Sequence, residues 1–268
     1  MIIDVHAHAC GNYLDADNII AALDKNNIDR VILCPGEKDS KRSYNFPNVK
    51  KDHVYFINNV ISFVTRLTGV SNHIEELNQF VYTICQKNPD RILQGYWVDP
   101  NNNKMIPLMD QDINKFKFKL LKIHQCWSYF KFNSNMFKEL TNWALKNNMP
   151  IFIHLKSKKD ALDLIECIRD RQDNVFIIAH LIGIEEFIKN KNLLKNVYFD
   201  ISCPQLIPLR KLNIALENFG SERLLFGSDI PYGTNSVELN IERINNLHVT
   251  QFEKDNILGN NIKKILNI

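Results

Sequence analysis

Short apolar runs rich in β-branched residues recur along the chain, most of them followed by a stretch whose apolar positions repeat every three or four residues. Eight runs read as strands: Ile2–His6, Arg30–Cys34, Ile92–Val98, Leu120–His124, Ile151–His154, Val175–His180, Val197–Ile201 and Leu224–Gly227. Between them, Ala16–Asn26, Ile74–Lys87, Asn135–Asn147, Lys159–Arg171 and Ile184–Asn190 carry the helical spacing. Pro89 and Pro150 follow helix ends, as suits a residue that cannot continue a helix. This alternation predicts βα units and a parallel sheet. Runs such as Ile151-Phe-Ile are apolar throughout, as strands covered on both faces must be. The expected fold is therefore α/β, a (β/α)8 TIM barrel. An open doubly wound sheet is the alternative, but no Gly-rich phosphate loop follows the first strand.

The 268 residues suit a single barrel domain spanning 1–268. Residues 37–72 form one long irregular insertion after the second strand, and on a barrel such a loop lies over the active site, which makes it a lid candidate. Its Arg42, Lys50, Lys51 and Arg66 could attract an anionic substrate. A formal charge of +3, spread over scattered lysines, argues against nucleic acid as a partner and leaves a small-molecule substrate. The N-terminus has no secretory pattern and no apolar run is long enough to span a bilayer, so the expectation is a cytoplasmic protein with no membrane partner. The six cysteines include no C-x-x-C pair and are expected to be free, buried thiols. A homodimer is compatible with the sequence, which does not specify one.

Candidate chemistry collects at the C-terminal ends of the strands. His6 and His8, in Asp4-Val-His6-Ala-His8, are two apart and so share a face of the first strand. His154 closes the fifth strand, His180 the sixth, and Asp229 follows the eighth. Each comes after an apolar run, where an ionisable side chain is costly unless it has a partner, and at that end of a barrel all of them converge. Three imidazoles and a carboxylate suit zinc or a similar borderline cation with a position left for water. Asp229 could then be ligand and base together, and His180 either a further ligand or a free acid/base. Lys122 and His124, two apart on the fourth strand, could bind substrate. Lys122 could equally bridge two metals if carboxylated, or sit at the core edge with its ammonium in solvent. His53, His73 and His248 are expected to be ordinary surface residues.

With Asp4-x-His6-x-His8, Pro89-Asp-Arg-Ile through Val98-Asp-Pro100, Lys122-x-His124, His154, Ala179-His180-Leu-x-Gly183, Phe226-Gly-Ser-Asp229-x-Pro231 and Ile257-Leu-Gly-Asn-Asn-Ile in this order, the chain resembles the amidohydrolase superfamily. Within it, the resemblance is to the amidohydrolase-2 family related to aminocarboxymuconate-semialdehyde decarboxylase. It implies a distorted barrel with one divalent metal ion, Zn2+ or Mn2+, on His6, His8, His154 and Asp229, and with His180 as the acid/base. The expected activity is metal-dependent hydrolysis of an amide, ester or lactone bond in a small carboxylated substrate. A non-oxidative decarboxylase of the same family is the first alternative. A TatD-like nuclease is the second; it looks for a bridging glutamate near mid-barrel, and Leu121-Lys-Ile-His-Gln125 offers none. A non-catalytic metal-binding barrel is the third.

Overall fold

A computed structural model of the chain describes residues 1–37, 54–69, 73–233 and 235–268. Eight parallel strands pair in sequence order: β1 (Ile3–Ala9), β2 (Arg30–Pro35), β3 (Ile92–Trp97), β4 (Leu120–His124), β5 (Ile151–His154), β6 (Phe176–Ile178), β7 (Val197–Asp200) and β8 (Leu224–Leu225). β8 is short, yet the chain beyond it runs on beside β1. Val5 N donates to Phe226 O, Asp229 N to His6 O and His8 N to Ile230 O. The Asp4 carboxylate adds to this seam, accepting from Ser228 N (2.9 Å), Ser228 Oγ (2.6 Å) and His6 N (3.1 Å). The eighth strand is thereby brought round to the first, and the fold is the (β/α)8 barrel that the alternation predicts.

Around the barrel lie α1 (Ala16–Lys25), α2 (Val54–Thr68), α3 (Ile74–Cys85), α4 (Met105–Phe116), α5 (Asn135–Lys146), α6 (Lys158–Arg169), α7 (Ile184–Lys189), α8 (Leu209–Phe219) and α9 (Ser236–Asn245). Side chains alternate along the strands, as the period of two requires. Leu121, Ile123, Ile151, Ile153 and Ile178 face outward into the core shared with helix residues such as Leu140, Leu164 and Ile165. Leu120, Phe152, Ile177 and Leu225 point into the barrel and form an apolar floor. Burying each of these side chains contributes roughly 1.5–3 kcal/mol. Nearer the C-terminal ends the interior turns polar, with Lys122, His124, His154 and Asp200 all buried.

Most strand ends fall within a residue or two of the expected ones, and three departures bear on the site. β1 reaches Ala9, and its register with β2 shifts between Asp4 and Ala7. Ile3 and Val5 face the interior; strict alternation would send His6 outward, but the irregularity re-aims it inward, its ring 4.6 Å from that of Phe152. β6 stops at Ile178, so His180 is not a strand residue but lies in a 3-10 turn. The insertion is not irregular throughout, because α2 occupies fifteen of its residues. Residues 38–53 and 70–72 lie outside the described residues, and with them Arg42, Lys50, Lys51 and His53. Arg66 is exposed on α2, and His73 and His248 are exposed as expected.

No described helix is long and apolar enough to cross a membrane. All six cysteines are free and buried. Burial pushes the thiols of Cys10, Cys34, Cys85 and Cys126 up to about 12. At pH 8 their thiolate fraction is negligible, and the thiolate is the reactive form. An aromatic disulfide reagent at that pH should therefore find no fast-reacting thiol in the native protein and six after unfolding in guanidinium. A fast native phase would contradict the packing described.

Candidate metal centre

His6 and His8 extend from β1, and Asp229 stands opposite them across the closing seam. His6 Nε2 lies 3.0 Å from His8 Nε2, and each is 3.3 Å from Asp229 Oδ1. The other ring nitrogens fix what these atoms are. His8 Nδ1 donates to the carbonyl of Pro35 at 2.6 Å. The hydroxyl of Ser202 donates to Asp200 Oδ2, leaving its oxygen to accept from His6 Nδ1 at 3.0 Å and His180 Nδ1 at 3.1 Å. Neutral imidazoles protonated on Nδ1 carry their lone pairs on Nε2. Burial, and then the charge of Lys122, hold His6 well below the ordinary histidine range, so it is neutral.

His180 completes this group, with Nε2 3.6 Å from Asp229 Oδ2. It and Asp229 both adopt left-handed backbone, φ 53° and 60°. For residues other than glycine that costs on the order of 1–3 kcal/mol, and such strain persists where the surroundings over-determine it. Here Asp229 N is tied to His6 O and His180 N to Asp200 Oδ2. Gly227 must lack a side chain, since a Cβ there would stand 2.5 Å from Asp200 Oδ1 and 3.1 Å from His6 Cβ.

His154 faces its register partner His124, the rings stacked with centroids 3.9 Å apart. Its Nε2 donates to Asn58 Oδ1 of α2 (2.9 Å), and Asn58 is oriented by its own donation to the carbonyls of Leu155 and Lys156. The free lone pair of His154 is thus on Nδ1. His124 differs: its Nδ1 accepts from Cys126 N, so in the neutral ring Nε2 carries the proton. The stack continues from His124 to Trp97, nearly parallel at 5.7 Å, and from Trp97 to Trp127 at 4.3 Å. Trp97 also lines a cavity of about 300 Å3 with Asn78, Asp99 and Met105. Lys122 does not reach solvent. It is fully buried, with Nζ 2.7 Å from His6 Nε2 and 3.9 Å from the Phe152 ring centre, and burial pulls it below the ordinary lysine range.

The structure thus gathers His6, His8, His180 and Asp229, with Lys122 against them, and sets His154 beside His180, ring centres 5.0 Å apart. Two sets of donor atoms lie within 4.8 Å of one another among the described residues: His6, His180 and Asp229, and His124, Cys126 and His154. The second set is compromised, because the His124 lone pair is taken by a backbone N–H. The first fits a cation. The lone pairs of His6 Nε2 and His8 Nε2 and an oxygen of Asp229 converge, and the edges of that triangle match the roughly 3.4 Å expected between ligands of a tetrahedral ion with 2.0–2.1 Å bonds; the Lys122 amine, 2.7 Å from His6 Nε2, holds that lone pair and would have to turn aside for an ion.

Comparison with known proteins gives the family and the fold. A profile of the amidohydrolase family matches residues 3–268. The chain belongs to the amidohydrolase family. That membership makes it an enzyme and bears out the resemblance carried by the ordered motifs. No curated protein sequence matches this amidohydrolase. Its fold is shared with 4-oxalomesaconate hydratase LigJ from Rhodopseudomonas palustris, at 13% identity and TM-score 0.70, covering 100% of this chain and 96% of that one. It is also shared with a dihydroxybenzoic acid decarboxylase from Polaromonas sp. JS666 bearing manganese and 2-nitroresorcinol, at 13% identity and TM-score 0.72, covering 99% and 96%. A probable 2-pyrone-4,6-dicarboxylic acid hydrolase from Acinetobacter baumannii is similar at 15% identity and TM-score 0.70, covering 100% and 99%.

Several residues that shape the site of this amidohydrolase are absent from the sequence reading. Asp200-Ile-Ser202 ends β7 as Lys122-Ile-His124 ends β4, a polar pair at spacing two after an apolar run, and the same rule would have found it. Asn58 carries no such signal. Groups of this kind set imidazole tautomer and orientation, and losing one typically costs 10–100-fold in metal affinity. Ser202→Ala should accordingly weaken binding of a divalent cation by about that factor in a chelator competition. Unaltered affinity would remove Ser202 from the site.

Proposed function

We propose that this amidohydrolase uses one divalent cation, zinc or manganese, held by His6, His8, His154 and Asp229, to hydrolyse an amide, ester or lactone bond in a small carboxylated substrate. The observation that carries the reading is the triangle of His6 Nε2, His8 Nε2 and Asp229 Oδ1, with edges of 3.0–3.3 Å. Nitrogen and carboxylate donors suit zinc, and the similarly folded dihydroxybenzoic acid decarboxylase with bound manganese supports the second ion. A cation bound there supplies Lewis acidity towards a carbonyl oxygen and towards water.

The protein's own groups account for the protons. Asp229 has Oδ1 in the triangle, which leaves Oδ2 to accept the proton of the attacking water. His180 Nε2 is 3.6 Å from that oxygen, close enough to take the proton on and return it to the leaving group after a small approach. Ser202 keeps the His180 ring in the tautomer this requires. Lys122 offers a buried ammonium to a substrate carboxylate, and His124 an Nε2–H donor. His124 is itself held in place between the rings of His154 and Trp97.

The similarly folded dihydroxybenzoic acid decarboxylase supports a second reading, non-oxidative decarboxylation of a carboxylated ring. Elemental analysis should find about one zinc or manganese per chain, lost in Asp229→Asn and in His154→Ala. His180→Ala should keep the ion and lose at least about 100-fold in turnover. If His180→Ala loses the ion while His154→Ala retains it, the two histidines exchange roles. With a panel of lactones, amides and carboxylated aromatics, 18O from water should enter the product acid. Carbon dioxide release without 18O entry would establish the decarboxylase instead.

A further inference from the structure

The faces of α2 are reversed relative to an ordinary surface helix. Its buried side carries Asn58, Ser62 and Thr65, turned towards the barrel mouth, where Asn58 accepts from His154 and Thr65 donates to the carbonyl of Cys126. Its outward side carries Phe56, Val60, Phe63 and Leu67, which are 69, 47, 65 and 72% exposed. These four are spaced by four, three and four residues and fall within about 60° of the helix circumference at 3.6 residues per turn. An apolar stripe that narrow, with alternating steps of three and four, is the seam by which one helix packs along another. Val64, 46% exposed, flanks it, and the one charged residue of α2 is Arg66.

We propose that this stripe pairs with the same stripe of a second copy of the chain, α2 against α2, antiparallel about a two-fold axis between Val60 and Phe63. Together the five side chains expose on the order of 500 Å2, large for a patch on a monomer and more than half of the roughly 800 Å2 that a stable interface takes from each partner. A two-fold interface must be self-complementary. This one is, because the seam is uncharged. The antiparallel arrangement also separates the two Arg66 side chains by about 13 Å along the axis, beyond the screening length in physiological salt. A membrane surface fits less well. A helix lying in a membrane interface carries Lys and Arg on its polar face, whereas here that face is buried and uncharged.

The test is sedimentation velocity on the full chain at tens of micromolar. The wild type should run at twice the chain mass of 31.3 kDa, and Phe63→Glu at one chain mass with an unchanged melting temperature. Because the axis sets Val60 of one copy against Phe63 of the other, mixing Phe63→Glu with Val60→Lys should restore the dimer. A monomeric wild type, a dimer that survives Phe63→Glu, or a mixture that stays monomeric overturns the proposal. So does a monomer that co-sediments with anionic phospholipid vesicles, which would give the face to a membrane.

Discussion

The hydrogen bonds that join β1 to the chain beyond β8 hold the site together. His6 and His8 belong to the first strand and Asp229 to the segment after the last, more than two hundred residues away. They meet because Asp229 N donates to His6 O and His8 N to Ile230 O. Asp4 reinforces the join from inside the protein. Its carboxylate is fully buried, which pushes its pKa up to about 7, while the bonds from Ser228 and His6 oppose the shift. In the motif Asp4-x-His6-x-His8 the aspartate therefore serves barrel closure, while the histidines turn their ring nitrogens towards Asp229.

Closure alone would not make three lone pairs converge. Each imidazole is held by a group from another part of the chain: His8 by the Pro35 carbonyl, His6 and His180 by Ser202, His154 by Asn58. Burial keeps His6, His124 and His154 neutral, with the positive charge of Lys122 acting in the same direction. The result is a set of neutral donors oriented in advance, so that little reorganisation is left for the moment of binding or reaction. The left-handed backbone at His180 and Asp229 is the energetic cost of that orientation.

The eight strands, their order and the histidines at their ends were legible from alternating periodicity, because parallel strands buried on both faces leave long apolar runs whose ends are marked by polar residues. What the periodicity could not show was local. The register shift in β1 that turns His6 inward follows from pairing with β2, not from the run itself. His180 leaves the strand by a backbone conformation that its residue type does not advertise. α2 escaped notice because its apolar stripe faces away from the core and, beyond Val54, its buried residues Asn58, Ser62 and Thr65 are polar. Asn58 could not be found at all without the fold, since only the packing of α2 over β5 brings it to His154.

Two of the three tryptophans stand in the ring stack beside the site. The indoles of Trp97 and Trp127 are 4.3 Å apart and inclined by 33°, close enough for their electronic transitions to couple. Trp143 is elsewhere, packed near Phe118 and donating to Asp110. The near-ultraviolet dichroism of the protein is therefore weighted towards the ring stack beside the candidate metal centre. Any molecule that slides against His124 changes the surroundings of that coupled pair, and the chain carries an optical gauge of occupancy that needs no label.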